Sequence, residues 1–245
     1  MFETPREAVT VRRATIAEIA ECDRFHNLHL FGLCLTTDRV PIVGVRRTSF
    51  TYQNKWLSRR RGEKLVMRYV DFKYVYPKEI KDIRARLATS AELPSNDGFE
   101  ELTLLGGSVR NRRETIEKCI HREIAEETDD SLRIETITDV ACAIDILDKT
   151  TGKTFRGYCI LCLLNQAYSD VPKESLYNME VEYLCSLLEK SGNEKFAYLN
   201  HIYEQLVEGL SPGAGPLGDG GQQLPVPEPA KAQPRGLPGN HRSER

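Results

Sequence analysis

Three glutamates, Glu123, Glu126 and Glu127, stand at i, i+3 and i+4 within GGSVRNRRETIEKCIHREIAEETD (106–129). On a helix that spacing stacks their carboxylates on one face, within reach of one ion. Three like charges so close repel one another and weaken an isolated helix, so the pattern makes sense where a hard divalent cation neutralises them. An oxygen-only ligand set without His or Cys favours Mg²⁺ or Mn²⁺, and Mg²⁺ typically also binds substrate phosphates. Glu114 is counted with the three as a metal ligand, and it can also pair with Arg122 to brace the loop against the helix. Gly106–Gly107 allows a tight turn out of a preceding strand. Taken alone, EIAEE usually marks a solvated acidic face. The ordered series of Gly-Gly, Glu114, Arg122–Glu123, an apolar residue and Glu126–Glu127 makes chance a poor explanation.

Hydrophobic periodicity supplies the elements that position these groups. Residues 29–36 and 40–45 read as two strands joined by a turn at Asp38–Arg39. The pattern from 57 to 93 is helical, with Pro77 just before KEIKDIRARLA, where proline is tolerated at a helix start. FEELTLL (99–105) reads as a strand that stops at Gly106–Gly107. Residues 115–129 are helical, with Ile116, Cys119, Ile120 and Ile124 spaced for one buried face. Strands follow around 133–147 and 154–165. A closing helix around 195–208 carries Phe196, Leu199, Ile202, Tyr203 and Leu206 as an apolar stripe. Helices placed between strands of a mixed sheet suggest an α/β sandwich.

From Ser211 onward the chain holds seven of its 12 prolines and seven of its 17 glycines, too little apolar surface to offset the entropy of ordering. The expected organisation is an N-terminal segment over 1–28, a folded domain over 29–210 with a helical insertion at about 57–93, and a disordered tail over 211–245.

With 245 residues, 40% hydrophobic and 29% charged, the composition is that of a soluble globular protein. No run approaches the ~20 apolar residues needed to span a bilayer, and MFETPREAV has neither a basic n-region nor an apolar core. The seven cysteines are an odd number and read as reduced thiols of a cytosolic protein. Cys159 and Cys162 form one C-x-x-C inside YCILCLL, and no second ligand pair follows, so core cysteines are expected rather than a zinc site. The formal charge of −2 leaves any nucleic acid to a local patch. Arg59–Arg60–Arg61 and the loop arginines 110, 112 and 113 are the candidates for phosphate contacts, although a charge run is usually a solvated face.

The 107–129 stretch resembles the Nudix box. Glu114, seven residues, then Arg122-Glu123-Ile124-Ala125-Glu126-Glu127 fits that pattern. It departs in having six residues between Gly107 and Glu114, and in having Asp129 where a glycine is usual. Aspartate can still adopt the left-handed conformation that ends a helix. Beyond the box, FETPRE near the start, RRTSFTYQ (46–53), FEELTLLGGS (99–108), CIHREIAEETDD (119–130) and SLYNMEV (175–181) resemble the mRNA-decapping Nudix enzymes of poxviruses, most of all the shorter, early type.

That resemblance implies a Nudix-type α/β/α sandwich and metal-dependent hydrolysis of the 5′ cap of mRNA in the cytoplasm, releasing 7-methyl-GDP and 5′-monophosphate RNA. Capped mRNA is then the partner, and no obligate protein partner is evident. Glu123, near the attacking water, and Glu126 are the expected catalytic residues. Glu180, in the position of the downstream carboxylate that such enzymes often use, is the candidate general base. A methylated guanine carries delocalised positive charge, which favours stacking between aromatic rings. Phe50 and Phe155 are the expected sandwich, with Asp148 reading the guanine edge or binding metal, and Tyr52, Trp56 and Tyr158 in reserve. A pyrophosphatase acting on free nucleoside diphosphate derivatives and a non-catalytic RNA-binding module remain the alternatives.

Overall fold

The computed structural model describes residues 1–22, 28–57, 67–87, 93–111, 113–149 and 152–210. Arg59–Arg60–Arg61, Arg112, parts of the 57–93 insertion and the 211–245 tail lie outside the described residues. The strands are β1 (Phe2–Glu3), β2 (Glu7–Thr15), β3 (His29–Leu35), β4 (Pro41–Arg46), β5 (Leu102–Thr103), β6 (Leu105–Ser108), β7 (Ile134–Asp148), β8 (Lys153–Leu164) and β9 (Val181–Ser186). The α-helices are α1 (Ile16–Ala20), α2 (Phe50–Tyr52), α3 (Pro77–Leu87), α4 (Ile116–Thr128) and α5 (Phe196–Glu208).

The strands form one mixed sheet in the order β1-β2-β7-β8-β3-β4-β5, with β6 also on β3 and β9 also on β4. The β3–β8 pairing is parallel and the other pairings are antiparallel. Successive side chains of β3 point to opposite faces, as strand geometry requires. Leu30 and Cys34 pack with Ile116, Cys119, Ile120 and Ile124 of α4. Leu33 and Leu35 pack with Leu199, Ile202 and Leu206 of α5. Each isoleucine so buried contributes about 1.5–3 kcal/mol. The fold is thus mixed α/β, with a helix against each face of the sheet at β3.

Several expectations are met: the β3–β4 pair with Arg39 at φ 61 in its turn, Pro77 opening α3, and α4 itself. The 99–105 strand is different. It splits into β5, on β4, and β6, on β3, and β6 runs through Gly106–Gly107 to Ser108 rather than stopping there. Gly106 sits at φ +146, and a Cβ there would lie 2.2 Å from Leu30 O, so close strand pairing, not termination, requires the glycine. Within the insertion, the described residues form short pieces, a 3₁₀ helix at Tyr69–Tyr74 and α3, and a π-helical turn at Gln53–Leu57 leads into it. Cys159 and Cys162 fall in the clusters on opposite faces of the sheet, as three residues apart on a strand must, so they cannot share a metal. No helix among the described residues is long and apolar enough to cross a membrane.

Candidate active site

Helix α4 begins where the Thr115 side chain accepts the Lys118 N–H and ends with Asp129 in the left-handed conformation, φ 50. Its apolar stripe faces the sheet, and its acidic face opens on a cavity of about 840 Å³. Glu123, Glu126, Glu127 and Glu180 all line that cavity. Glu127 lies deepest. Its Oε2 accepts the Gly106 N–H at 2.6 Å, and the residue is 6% exposed. Burial, with the nearby charges of Glu180 and Glu123, pushes its carboxyl up to about 8 despite that N–H and Arg46. Glu123 lies over Gly107, where a Cβ would come within 2.4 Å of Oε2. One glycine therefore admits a strand and the other a carboxylate.

Two arginines neutralise this face. Arg122 donates Nε to Glu114 Oε1 at 2.8 Å, Nη1 to Glu123 Oε1 at 2.5 Å and Nη2 to Ser108 O at 3.1 Å. Arg110 Nη2 bonds both Glu126 oxygens, at 2.7 and 3.0 Å. Glu114 does not line the cavity. It accepts from Arg122 and from the Arg110 N–H at 2.5 Å, and the Arg122 hydrogen bond holds its carboxyl below the usual carboxylate range. Among the described residues no three His, Cys, Asp or Glu side chains are gathered about one point as a metal site. The donor chemistry nonetheless fits a hard divalent cation, because three helix carboxylates and Glu180 front one cavity.

Glu180 enters from the loop before β9. Asn178 Oδ1 accepts the Glu180 N–H at 2.6 Å, while Asn178 Nδ2 donates to the Glu126 carbonyl, which ties the loop to α4. Arg46 Nη1 lies 3.4 Å from Glu180 Oε2. The same guanidinium sits 4.3 Å over the Phe50 ring, with Lys195 Nζ 4.8 Å from that ring.

Phe50, Phe155 and Asp148 line the same cavity. Phe155 tilts against His29 at 4.6 Å and Phe31 at 5.9 Å between ring centroids. The reserve aromatics Tyr52, Trp56 and Tyr158 are buried and do not line it; Tyr52 stacks on Trp56. Of the basic candidates, Arg110 lines the cavity and Arg113 does not. Sequence reasoning missed Glu7, His29, Asn178 and Lys195, which also line it. Glu7 and Asn178 lie in segments that carried the resemblance, so a signal was present for those two. Nothing in the sequence around Lys195 or His29 marks them.

The segments FETPRE, RRTSFTYQ, FEELTLLGGS and SLYNMEV therefore meet around one cavity beside the Nudix-like helix. No family model matches the chain. Individual proteins do. A fowlpox virus protein named as a Nudix hydrolase is 43% identical over 208 residues, covering 84% of this chain and 87% of that protein. The chain belongs to the family of poxvirus Nudix hydrolases and mRNA-decapping proteins. An mRNA-decapping protein of vaccinia virus (strain Western Reserve) is 33% identical over 208 residues, 94% of its length. One of rabbit fibroma virus is 36% identical over 206 residues, 97% of its length. A match over 84% of the chain necessarily includes the Nudix-like helix, RRTSFTYQ, FEELTLLGGS and SLYNMEV.

Proposed function

We propose that the chain removes the 5′ 7-methylguanosine cap from mRNA, releasing 7-methyl-GDP and 5′-monophosphate RNA. The supporting observation is a single cavity lined both by a helix face of carboxylates and by two phenylalanines with an aspartate. A phosphoanhydride needs the first of these, a methylated guanine the second. The named activity of the vaccinia virus and rabbit fibroma virus relatives points the same way.

Glu123, Glu126 and Glu127 would hold Mg²⁺ or Mn²⁺, which when bound screens phosphate charge and acidifies water. Glu114 is assigned to fixing Arg122, and through it Glu123, rather than to the ion. Glu180 Oε2 is the candidate acceptor of the proton that the attacking water loses, with Arg46 orienting its carboxylate. Glu123 is the candidate second catalytic carboxylate, near that water. Phe50 and Phe155 stack on the methylated base, and Asp148 accepts its N1 and N2 hydrogens. A helix against each sheet face supports the Nudix α/β/α sandwich. The reading carries with it action on host and viral messages in the host-cell cytoplasm, with translation shut down as the outcome.

The test incubates capped RNA and a panel of free nucleotides with Mg²⁺ or Mn²⁺ and identifies the products. Release of 7-methyl-GDP is expected. Cleavage of free nucleotides alone would reject the proposal in favour of a nucleotide pyrophosphatase.

A further inference from the structure

Arg110 stands on the loop between β6 and α4, and its side chain pairs with Glu126, one of the three helix carboxylates. Both side chains are about half exposed, at 59% and 47%. Exposed pairs of this kind are weak and exchange readily. The backbone of Arg110 is held differently. Its N–H donates to Glu114 Oε2, and Glu114 is clasped by Arg122. The side chain can therefore leave Glu126 while its attachment point stays fixed. Arg122, whose Nη1 also lies 3.4 Å from Glu126 Oε2, has no such freedom, since its closer bonds run to Glu114, Glu123 and the Ser108 carbonyl.

We infer that Arg110 is an exchangeable cation: it neutralises Glu126 while the metal is absent, and is released by the metal to bind the phosphates of the substrate in the same cavity. The inference rests on the metal site proposed above. Its chemistry is economical, because a divalent ion and a guanidinium cannot share one small carboxylate without mutual repulsion. A freed guanidinium lining the cavity presents a planar fork matched to phosphate oxygens. No covalent bond is made or broken in the exchange.

Mn²⁺ binding to the full chain, without substrate, is measured by electron paramagnetic resonance for the wild type, Arg110→Ala and Arg110→Gln. Loss of the competitor should tighten Mn²⁺ binding by about 2- to 5-fold, the span of an exposed ion pair. The same variants should raise KM for capped RNA by roughly 10-fold, the scale of a lost charge-assisted hydrogen bond. Metal affinity and substrate affinity thus move in opposite directions, which a general disturbance of the loop does not produce. Unchanged or weaker Mn²⁺ binding in both variants, with wild-type binding intact, overturns the exchange and leaves the metal site standing. An unchanged KM likewise overturns the phosphate contact. A wild type that binds no Mn²⁺ overturns the metal site, and the exchange with it.

Discussion

The backbone N–H of Phe50 ends on Glu101, a carboxylate sealed from solvent 3.1 Å away. Glu101 is also gripped by Arg6 through two bonds of 2.8 and 2.7 Å and by Lys195 at 2.7 Å. The proposed cap-stacking ring is thus mounted on a buried charge network that joins the N-terminal segment, the residue just before β5 and the start of α5. Removing that charge leaves Arg6 with only the longer carboxylate contacts to Glu7 and Glu194, and Lys195 with only that to Glu7. Glu101→Gln is expected to lower unfolding free energy by about 3–5 kcal/mol, read from urea titrations. A loss below about 1 kcal/mol would show that the network is not needed to hold the ring.

The same residue sets a pH dependence. Burial alone would raise the Glu101 pKa, but Lys195 and Arg6 hold it well below the usual carboxylate range. An unfolded glutamate takes up its proton near pH ~4.3. The stabilisation is therefore fully present above that pH and is lost as pH falls through it toward the lower folded value. Urea midpoints measured from pH 7 to pH 3 should fall more steeply for the wild type than for Glu101→Gln. Parallel curves would be the contrary result.

Phe50 lies under two cations, Arg46 and Lys195, without being closed off from the cavity. Phe50→Leu keeps apolar volume but removes the π face that a methylated guanine would use. Affinity for a methylated cap analogue should drop about 10-fold, within the range of a desolvated cation–π contact. Affinity for the unmethylated analogue should change much less, and titration calorimetry compares the two. Equal losses for both analogues would assign Phe50 to packing alone.

How far the sequence revealed this site depends on the range of each contact. Helix α4 was legible because its information is local: the Thr115 cap, the four apolar positions facing the sheet, three carboxylates one turn apart, and Asp129 as the left-handed stop. The strand pair β3–β4 was legible for the same reason. Strand β2 was not, because the charges in EAVTVRRAT mask its alternation although it pairs along nine residues of β7. The glycine pair misled, since a strand passing close to another backbone and to a carboxylate carries the same residues as a turn. The contacts of Glu101 with Arg6 and of Asn178 with Glu126 join residues 95 and 52 positions apart, and no periodicity encodes them.

Glu127 is buried and its charged form is disfavoured, so an amide of nearly the same shape suits the site at least as well while still accepting the Gly106 N–H. Glu126 is half exposed and bonded to Arg110. The double variant Glu126→Gln with Glu127→Gln should therefore melt within a few degrees of the wild type in the presence of a chelator. In Mg²⁺ or Mn²⁺ it should show no turnover of capped RNA, since two of three charges that would neutralise the ion are gone. Added metal should raise the melting temperature of the wild type and not of the variant, because only a protein that binds the ion is stabilised by it. Retained turnover, or equal metal stabilisation of both proteins, would place the ion away from α4.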